Sequence, residues 1–334
     1  MRNGRALVVV AIALIGVRTP LFADECTEYG DPPRPYGPSP QGQLADAYPV
    51  EVLCPARGGE LLTWTDPNGT PRTACLHTPA HADPGAPLPL LTFLGGSLFP
   101  DDPQTPYNGF ELMMDSADLS GDSARPGFIL LVIEGRDKEH FYPFPDEHAW
   151  GFDHWYRNFD RNDPEMNVDA ATIDHFIAEV VGRGIVDERR LYLSGWSNGA
   201  SMAILYGLNT PGIAATAVYS SPNPFSDLLD PCPQAPFGDN PRPIMTVHND
   251  CDIAGICLTG SEGFAAEMAA SMPYVEYEPI RIDLSQAEVP ECDPACSYSG
   301  DPMELATIGS LRHVLWPYLW TEPMFSFLRD HALP

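Results

Sequence analysis

Only one lysine, Lys138, occurs in 334 residues, and lysine and arginine together number 18 against 46 aspartates and glutamates. A formal charge of −28 argues against nucleic acid or an anionic membrane as partner, because phosphates and acidic headgroups would be repelled. After residue 23 no run is apolar enough to span a bilayer, which argues against a multi-span membrane protein. The eight cysteines include no C-x-x-C pair, so a zinc site ranks well below disulfides. No internal repeat appears, so a repeat architecture has no support.

What is present at the start is an export signal. Arg2 and Arg5 form a short basic region, Ala6 to Val17 an apolar stretch, and Ala23 a small residue at a plausible cleavage point. The stretch is short for a membrane span, which leaves an uncleaved anchor as the lesser alternative. No lipobox precedes Cys26. Residues 1–23 are therefore read as a signal peptide and the mature protein as secreted or periplasmic, with no stable membrane insertion after cleavage. Removing Arg2, Arg5 and Arg18 takes the charge from −28 to −31. An even number of cysteines in an exported chain favours disulfides. Their pairing does not follow from the sequence; Cys251 with Cys257 and Cys292 with Cys296 are the local guesses.

Residues 24–57 are rich in proline and glycine and read as an extended N-terminal segment, tied down through Cys26 and Cys54, with a flexible leader as the alternative. Residues 58–334 alternate strand and helix patterns and read as one catalytic domain. Leu88 to Leu94 and Phe128 to Ile133 are continuous apolar runs, which suit strands buried on both faces. Between Asp169 and Val181, Ile173, Phe176, Ile177, Val180 and Val181 fall on one helical face. The expected fold class is α/β, a mostly parallel twisted sheet with helices on both faces.

Arg190 to Ser194 reads as a strand, and it runs into Gly195-Trp196-Ser197-Asn198-Gly199, a G-x-S-x-G motif. A helix-prone stretch, Ala200 to Leu208, follows at once. That strand–turn–helix context lifts a serine hydroxyl above the sheet as a nucleophile, with the helix N-terminus favouring a developing oxyanion. An acid and then a histidine should follow in the chain. Pro243 to His248 is strand-like and ends at Asp250 and Asp252, and carboxylates at the C-terminal end of a parallel strand reach the functional crevice. Six histidines precede Ser197, His248 precedes the acid, and His331 falls in the expected closing helix. His313 is what chain order leaves.

These segments resemble the secreted α/β-hydrolase esterases related to polyhydroxybutyrate depolymerases and feruloyl esterases. Pro87 to Gly95 is similar to that family's "PLVV.LHG", Leu191 to Ala200 to "VYVTGLSNGG", His248 to Asp252 to "HGTAD", and His313 with Trp316-Pro317 to "GGGHTWPG". Trp155 and Asn158 resemble its "GWN". The likeness spans Gly58 to the C-terminus, and it points to Asp252 rather than Asp250 as the acid. Leu94 stands where the family carries a histidine, and one extra residue separates His313 from Trp316.

The expectation is then a serine carboxylic-ester hydrolase acting through Ser197, His313 and Asp252, with no metal or cofactor. Backbone N–H groups of Asn198 and of Gly96 or Ser97 would form the oxyanion hole. The aromatic stretch from His140 to Asp160 would partly rim the crevice or simply pack beneath a loop. Trp150, Trp155, Trp196 and Trp316 are the candidate substrate contacts, for a polyester or an aryl or feruloyl ester. A monomer is expected. The alternatives are a serine peptidase on the same fold and a catalytically inactive binding protein that kept the scaffold.

Overall fold

The structure, a computed structural model, describes residues 50–67, 69–96, 108–140, 147–152, 167–224, 240–249, 252, 258–282 and 318–334. In chain order the elements are helix α1 (Val50–Ala56), strands β1 (Glu60–Thr65), β2 (Pro71–His77) and β3 (Leu88–Leu94), the short helix α2 (Phe110–Met113), β4 (Ile129–Ile133), β5 (Arg136–His140) and β6 (Glu147–Gly151). Then come α3 (Val168–Val181), β7 (Val186–Trp196), α4 (Asn198–Asn209), β8 (Ile213–Tyr219), β9 (Ile244–Asn249), α5 (Leu258–Ser271), β10 (Tyr277–Ile282) and α6 (Tyr318–Asp330).

Eight strands form one sheet in the order β1-β2-β4-β3-β7-β8-β9-β10. The β1–β2 and β2–β4 pairs are antiparallel, and every other neighbouring pair is parallel. The unbroken apolar runs lie at its centre. β3, β4 and β8 are buried at every position, because helices cover both faces and leave no side for polar residues.

Strand alternation divides the core in two. On one face Leu90, Leu94, Leu131 and Leu193 pack with Ile173 and Phe176 of α3, Met202 and Leu205 of α4, and Phe264 of α5. On the other, Leu91, Phe93, Leu130 and Val247 pack with Cys54 of α1 and with Met324, Phe325 and Leu328 of α6. The α3 periodicity is realised as expected. Its start is set by Asn167, whose side chain accepts the Ala170 N–H at 3.0 Å. β7 begins four residues earlier than its apolar pattern suggested, because Val186 already pairs with Leu88 across an irregularity in the register.

The N-terminal segment ends differently from the extended reading. Val50–Ala56 is helical, and Cys54 is disulfide-bonded to Cys75 of β2. Cys26 and the Cys251–Cys257 and Cys292–Cys296 pairings lie outside the described residues. Nearby, the buried guanidinium of Arg72 on β2 bridges Asp66, at 3.5 Å, and Asp169 in the first turn of α3, at 2.5 Å. Two carboxylates around one cation let all three charges stay inside, and they fasten the antiparallel edge to the helical layer. Among the described residues no helix is long and apolar enough to cross a membrane.

Candidate active site

At the C-terminal edge of the parallel strands, β7 turns into α4 through Ser197. This residue has φ 56° and ψ −122°, a conformation that a side chain disfavours and that persists only where surroundings impose it. The surroundings are the two glycines of the motif. A Cβ on Gly195 would stand 2.6 Å from the carbonyl oxygen of Gly199, and one on Gly199 would stand 2.2 Å from the carbonyl oxygens of Leu94 and Gly95. Only bare backbone lets strand, turn, helix and the end of β3 converge so closely. Ser197 occupies the N-cap position of α4 without spending its hydroxyl on a capping bond. Its own N–H is donated to the Tyr219 carbonyl at 3.2 Å. The side chain is 9% exposed.

The same edge carries Asp252, three residues beyond β9 and fully buried. Its Oδ2 accepts the hydroxyl of Ser220 and, at 3.0 Å, the side-chain N–H of Asn249. The second amide hydrogen of Asn249 goes to the Tyr219 hydroxyl at 2.9 Å. Ser220 follows β8 directly and has φ 57°, so a second strained serine stands beside the acid. Burial, reinforced by the Asp252 carboxylate, pushes the Tyr219 hydroxyl far above its ordinary range, so it stays protonated. Burial pushes His248 down to about 4, with Asp252 pulling the other way, so this imidazole is neutral at neutral pH. Neither of its ring nitrogens has a hydrogen-bond partner among the described residues.

A third component comes from the end of β3. A Cβ on Gly96 would lie 3.2 Å from the Ser197 Cβ and 3.6 Å from the Trp196 ring, so the Gly96 backbone lies against Ser197. A serine on a strained turn, a helix N-terminus behind it, a glycine loop beside it and a hydrogen-bonded buried carboxylate thus stand together on one edge of the sheet.

No protein-family model matches the sequence, and no curated protein matches it. Solved structures do. An S-formylglutathione hydrolase from Agrobacterium tumefaciens is similar with a TM-score of 0.53 and 11% identity, over 82% of this chain and 96% of that one. The fold is that of the α/β-hydrolases. A thermostable esterase from Pseudomonas putida aligns over 94% of this chain and 96% of its own, at 14% identity and a TM-score of 0.45. A dipeptidyl peptidase 4 from Porphyromonas gingivalis aligns over 82% of this chain and 35% of its own, at 13% identity and a TM-score of 0.41. Likeness at such identities carries the fold and nothing finer.

Within this fold, Ser197, Asn198, Gly96 and Asp252 all lie at one end of the sheet. His313, Ser97, Trp155 and Trp316 lie outside the described residues, and of Trp150 only the backbone, on β6, is described. Trp196 is packed into the second apolar cluster beside Gly96. From the aromatic stretch, Phe152 is fully buried in the first cluster, as the packing reading expects of it. Sequence reasoning missed the set around Asp252, namely Tyr219, Ser220 and Asn249. The side-chain role of Asn198 was also missed: its amide holds the main chain of Phe152. Asn249 lies in the motif that pointed to Asp252 and was open to notice. Ser220 follows a strand of ordinary composition, and nothing in the local sequence links it to Asp252.

Proposed function

We propose that this chain is an exported serine carboxylic-ester hydrolase that works through an acyl-enzyme on Ser197. The observation that carries the reading is the strained Ser197, held against the Gly95–Gly96 loop at the N-terminus of α4, with its hydroxyl not used for capping. Such strain has no structural purpose in an inert turn, where glycine would serve better.

In this reading His313 takes the Ser197 proton as the hydroxyl attacks the ester carbonyl. Asp252, fixed by Ser220 and Asn249, orients the imidazole and stabilises its cation. The N–H groups of Asn198 and of Gly96 or Ser97 hold the tetrahedral oxyanion. The helix field adds to them, and one such donor lowers the barrier by roughly 3 kcal/mol. His313 then returns the proton to the leaving alcohol, and water repeats the sequence on the acyl-enzyme. The substrate class that the family resemblance favours is a polyester or an aryl or feruloyl ester, with Trp150, Trp155, Trp196 and Trp316 as candidate contacts.

Hydrolysis of p-nitrophenyl acetate and butyrate by the mature protein, beside Ser197→Ala, tests the reading. The expected outcome is turnover well above buffer that the substitution abolishes, together with labelling of Ser197 by a fluorophosphonate probe. Folded protein that neither hydrolyses nor labels overturns it in favour of a binding scaffold. Labelling with hydrolysis of peptide p-nitroanilides, but not of esters, moves the substrate to peptides.

A further inference from the structure

Asn198 follows the nucleophile, and the oxyanion role assigned to it needs only its backbone N–H. Its side chain is nevertheless buried and hydrogen-bonded at both ends of its amide. Oδ1 accepts the Phe152 N–H at 2.6 Å, and Nδ2 donates to the Phe152 carbonyl at 3.0 Å. The partners fix which end of the amide is which, since an N–H can meet only the oxygen and a carbonyl only the NH2. This two-point pattern is the one that a neighbouring strand would offer. A carboxylate, a hydroxyl or an apolar group would lose at least half of it.

What the amide holds is the root of the β5–β6 ribbon. This ribbon is a separate two-stranded sheet, paired from Arg136 with Gly151 to His140 with Glu147, and it shares no ladder with the main sheet. A lone two-stranded ribbon is marginally stable and needs outside support. Support converges at its base. The Gly135 and Gly151 backbones cross so closely that a Cβ on Gly135 would fall 2.8 Å from the Gly151 Cα. The Phe152 ring is sunk in the core, and the Asn198 amide locks the Phe152 main chain.

The topology says where this base lies. The ribbon leaves the C-terminal end of β4 and is fastened at the first residue after Ser197, at the end of β7. The strand between those two is β3. With neighbours about 4.8 Å apart, the base spans roughly 10 Å across the end of β3, where Gly96 lies against Ser197.

We propose that Asn198 is a positioning residue whose side-chain amide fastens the β5–β6 ribbon across the oxyanion loop and makes that ribbon a fixed wall of the ester site. The inference rests on the esterase reading for its consequence in catalysis, but the fastening itself does not. A fixed wall matters most for an ester large enough to touch it, so releasing the wall lowers discrimination between large and small esters.

The single lysine supplies a direct readout. Lys138 lies on β5 opposite Ala149, so a lysine-specific endopeptidase has one cleavage site in the whole chain, inside the ribbon. The mature protein, Asn198→Ala and a control, Tyr206→Phe, are compared well below their unfolding temperatures. The control removes the 2.6 Å bond from Tyr206 to Asp174, further along α4, and leaves the ribbon alone. Loss of two hydrogen bonds at the base is expected to speed cleavage after Lys138 roughly tenfold in Asn198→Ala and not in the control. The ratio of kcat/KM for p-nitrophenyl benzoate to that for p-nitrophenyl acetate is expected to fall about fivefold in Asn198→Ala, with KM for the benzoate rising. Should the alanine variant not fold, Asn198→Asp keeps the acceptor for the Phe152 N–H, loses the donor, and carries both readouts. Cleavage no faster than in the control overturns the proposal. If the wild type hydrolyses no ester, the esterase reading fails, while the cleavage rates still judge the fastening.

Discussion

The turns that carry Ser197 and Asp252 share one edge of one sheet, yet different forces hold them in shape. At Ser197 the shape is set by exclusion. Gly195, Gly199, Gly95 and Gly96 bring four stretches of backbone so close that a single methyl group at Gly199 would overlap two carbonyl oxygens. At Asp252 the shape is set by attraction, through hydrogen bonds from Ser220 and Asn249 and a relay to Tyr219, beside a neutral imidazole. Exclusion is all-or-none, because packed backbone cannot yield. Attraction is graded, because a lost hydrogen bond is replaced in part by its neighbours or by water. Mutations should therefore fail abruptly at the first turn and by degrees at the second.

The largest effect is expected from Gly199→Ala. Its Cβ would stand 2.2 Å from the carbonyl oxygens of Leu94 and Gly95, both main-chain atoms that cannot rotate away. The expected cost exceeds about 4 kcal/mol, with little soluble folded protein by circular dichroism and no ester hydrolysis. A Gly199→Ala protein with native stability and activity would end the account of the turn as sterically fixed.

Next comes the neutral histidine. Folded His248 takes up its proton only near pH 4, whereas an unfolded histidine does so near 6.5. Between these values the unfolded state binds more protons, so stability is full above about pH 6.5 and drains as pH falls toward 4. The difference is worth roughly 3 kcal/mol. In His248→Leu this component disappears, and because neither ring nitrogen is hydrogen-bonded to a described residue, none of those is left unpaired by the change. Urea unfolding at pH 8, 6 and 4.5 should show a shallower loss in the variant than in the wild type. Parallel losses would contradict the buried neutral ring.

This contrast also explains what the sequence made legible. Exclusion is written locally: two glycines flank a serine within five residues, between a strand and a helix. The elbow could therefore be placed before any coordinates, and so could the apolar runs of β3 and β4 and the periodic face of α3. The attractive network is written across positions 219, 220, 249 and 252, which meet only because β8 and β9 are parallel neighbours. Ile213–Tyr219 carries Ile213, Thr216, Val218 and Tyr219 and was readable as a strand, but nothing local marks the serine after it as a partner of a carboxylate 32 residues on. Cys54 was a recognisable anchor, but its partner, Cys75, lies across a turn of antiparallel edge that carries no pairing code. The β5–β6 ribbon was hidden for a different reason. Its charged, aromatic-flanked sequence resembles a loop, and its placement depends on a main-chain contact with Asn198, 46 residues from Phe152.

A smaller effect is expected at Ser220. Ser220→Ala removes one donor to Asp252 and leaves that of Asn249, so a cost of about 1–2 kcal/mol in urea unfolding is expected. Ester hydrolysis should fall about tenfold in kcat with little change in KM, because the orientation of the acid, not substrate binding, is disturbed. A loss as complete as that of Gly199→Ala would mean that the acid turn, too, is all-or-none, and the distinction between the turns would collapse.

The smallest effect has the opposite sign. Ser197 holds φ 56° with a side chain attached, a conformation that glycine adopts freely. In Ser197→Gly the Cβ disappears from the turn. The backbone strain is relieved, while the extra freedom of glycine in the unfolded chain takes back part of the gain. A net stabilisation of about 1 kcal/mol is expected, read as a higher urea midpoint at unchanged slope, alongside complete loss of ester hydrolysis. The two turns offer an internal check, because Ser220 is strained in the same way at φ 57° but donates a hydrogen bond to Asp252. Ser220→Gly gains the same relief and loses that bond, so it should be less stable than Ser197→Gly by about the worth of one buried hydrogen bond. If both glycine variants are destabilised alike, the positive φ at Ser197 costs the fold nothing, and the turn is a relaxed connection rather than one strained to present its hydroxyl.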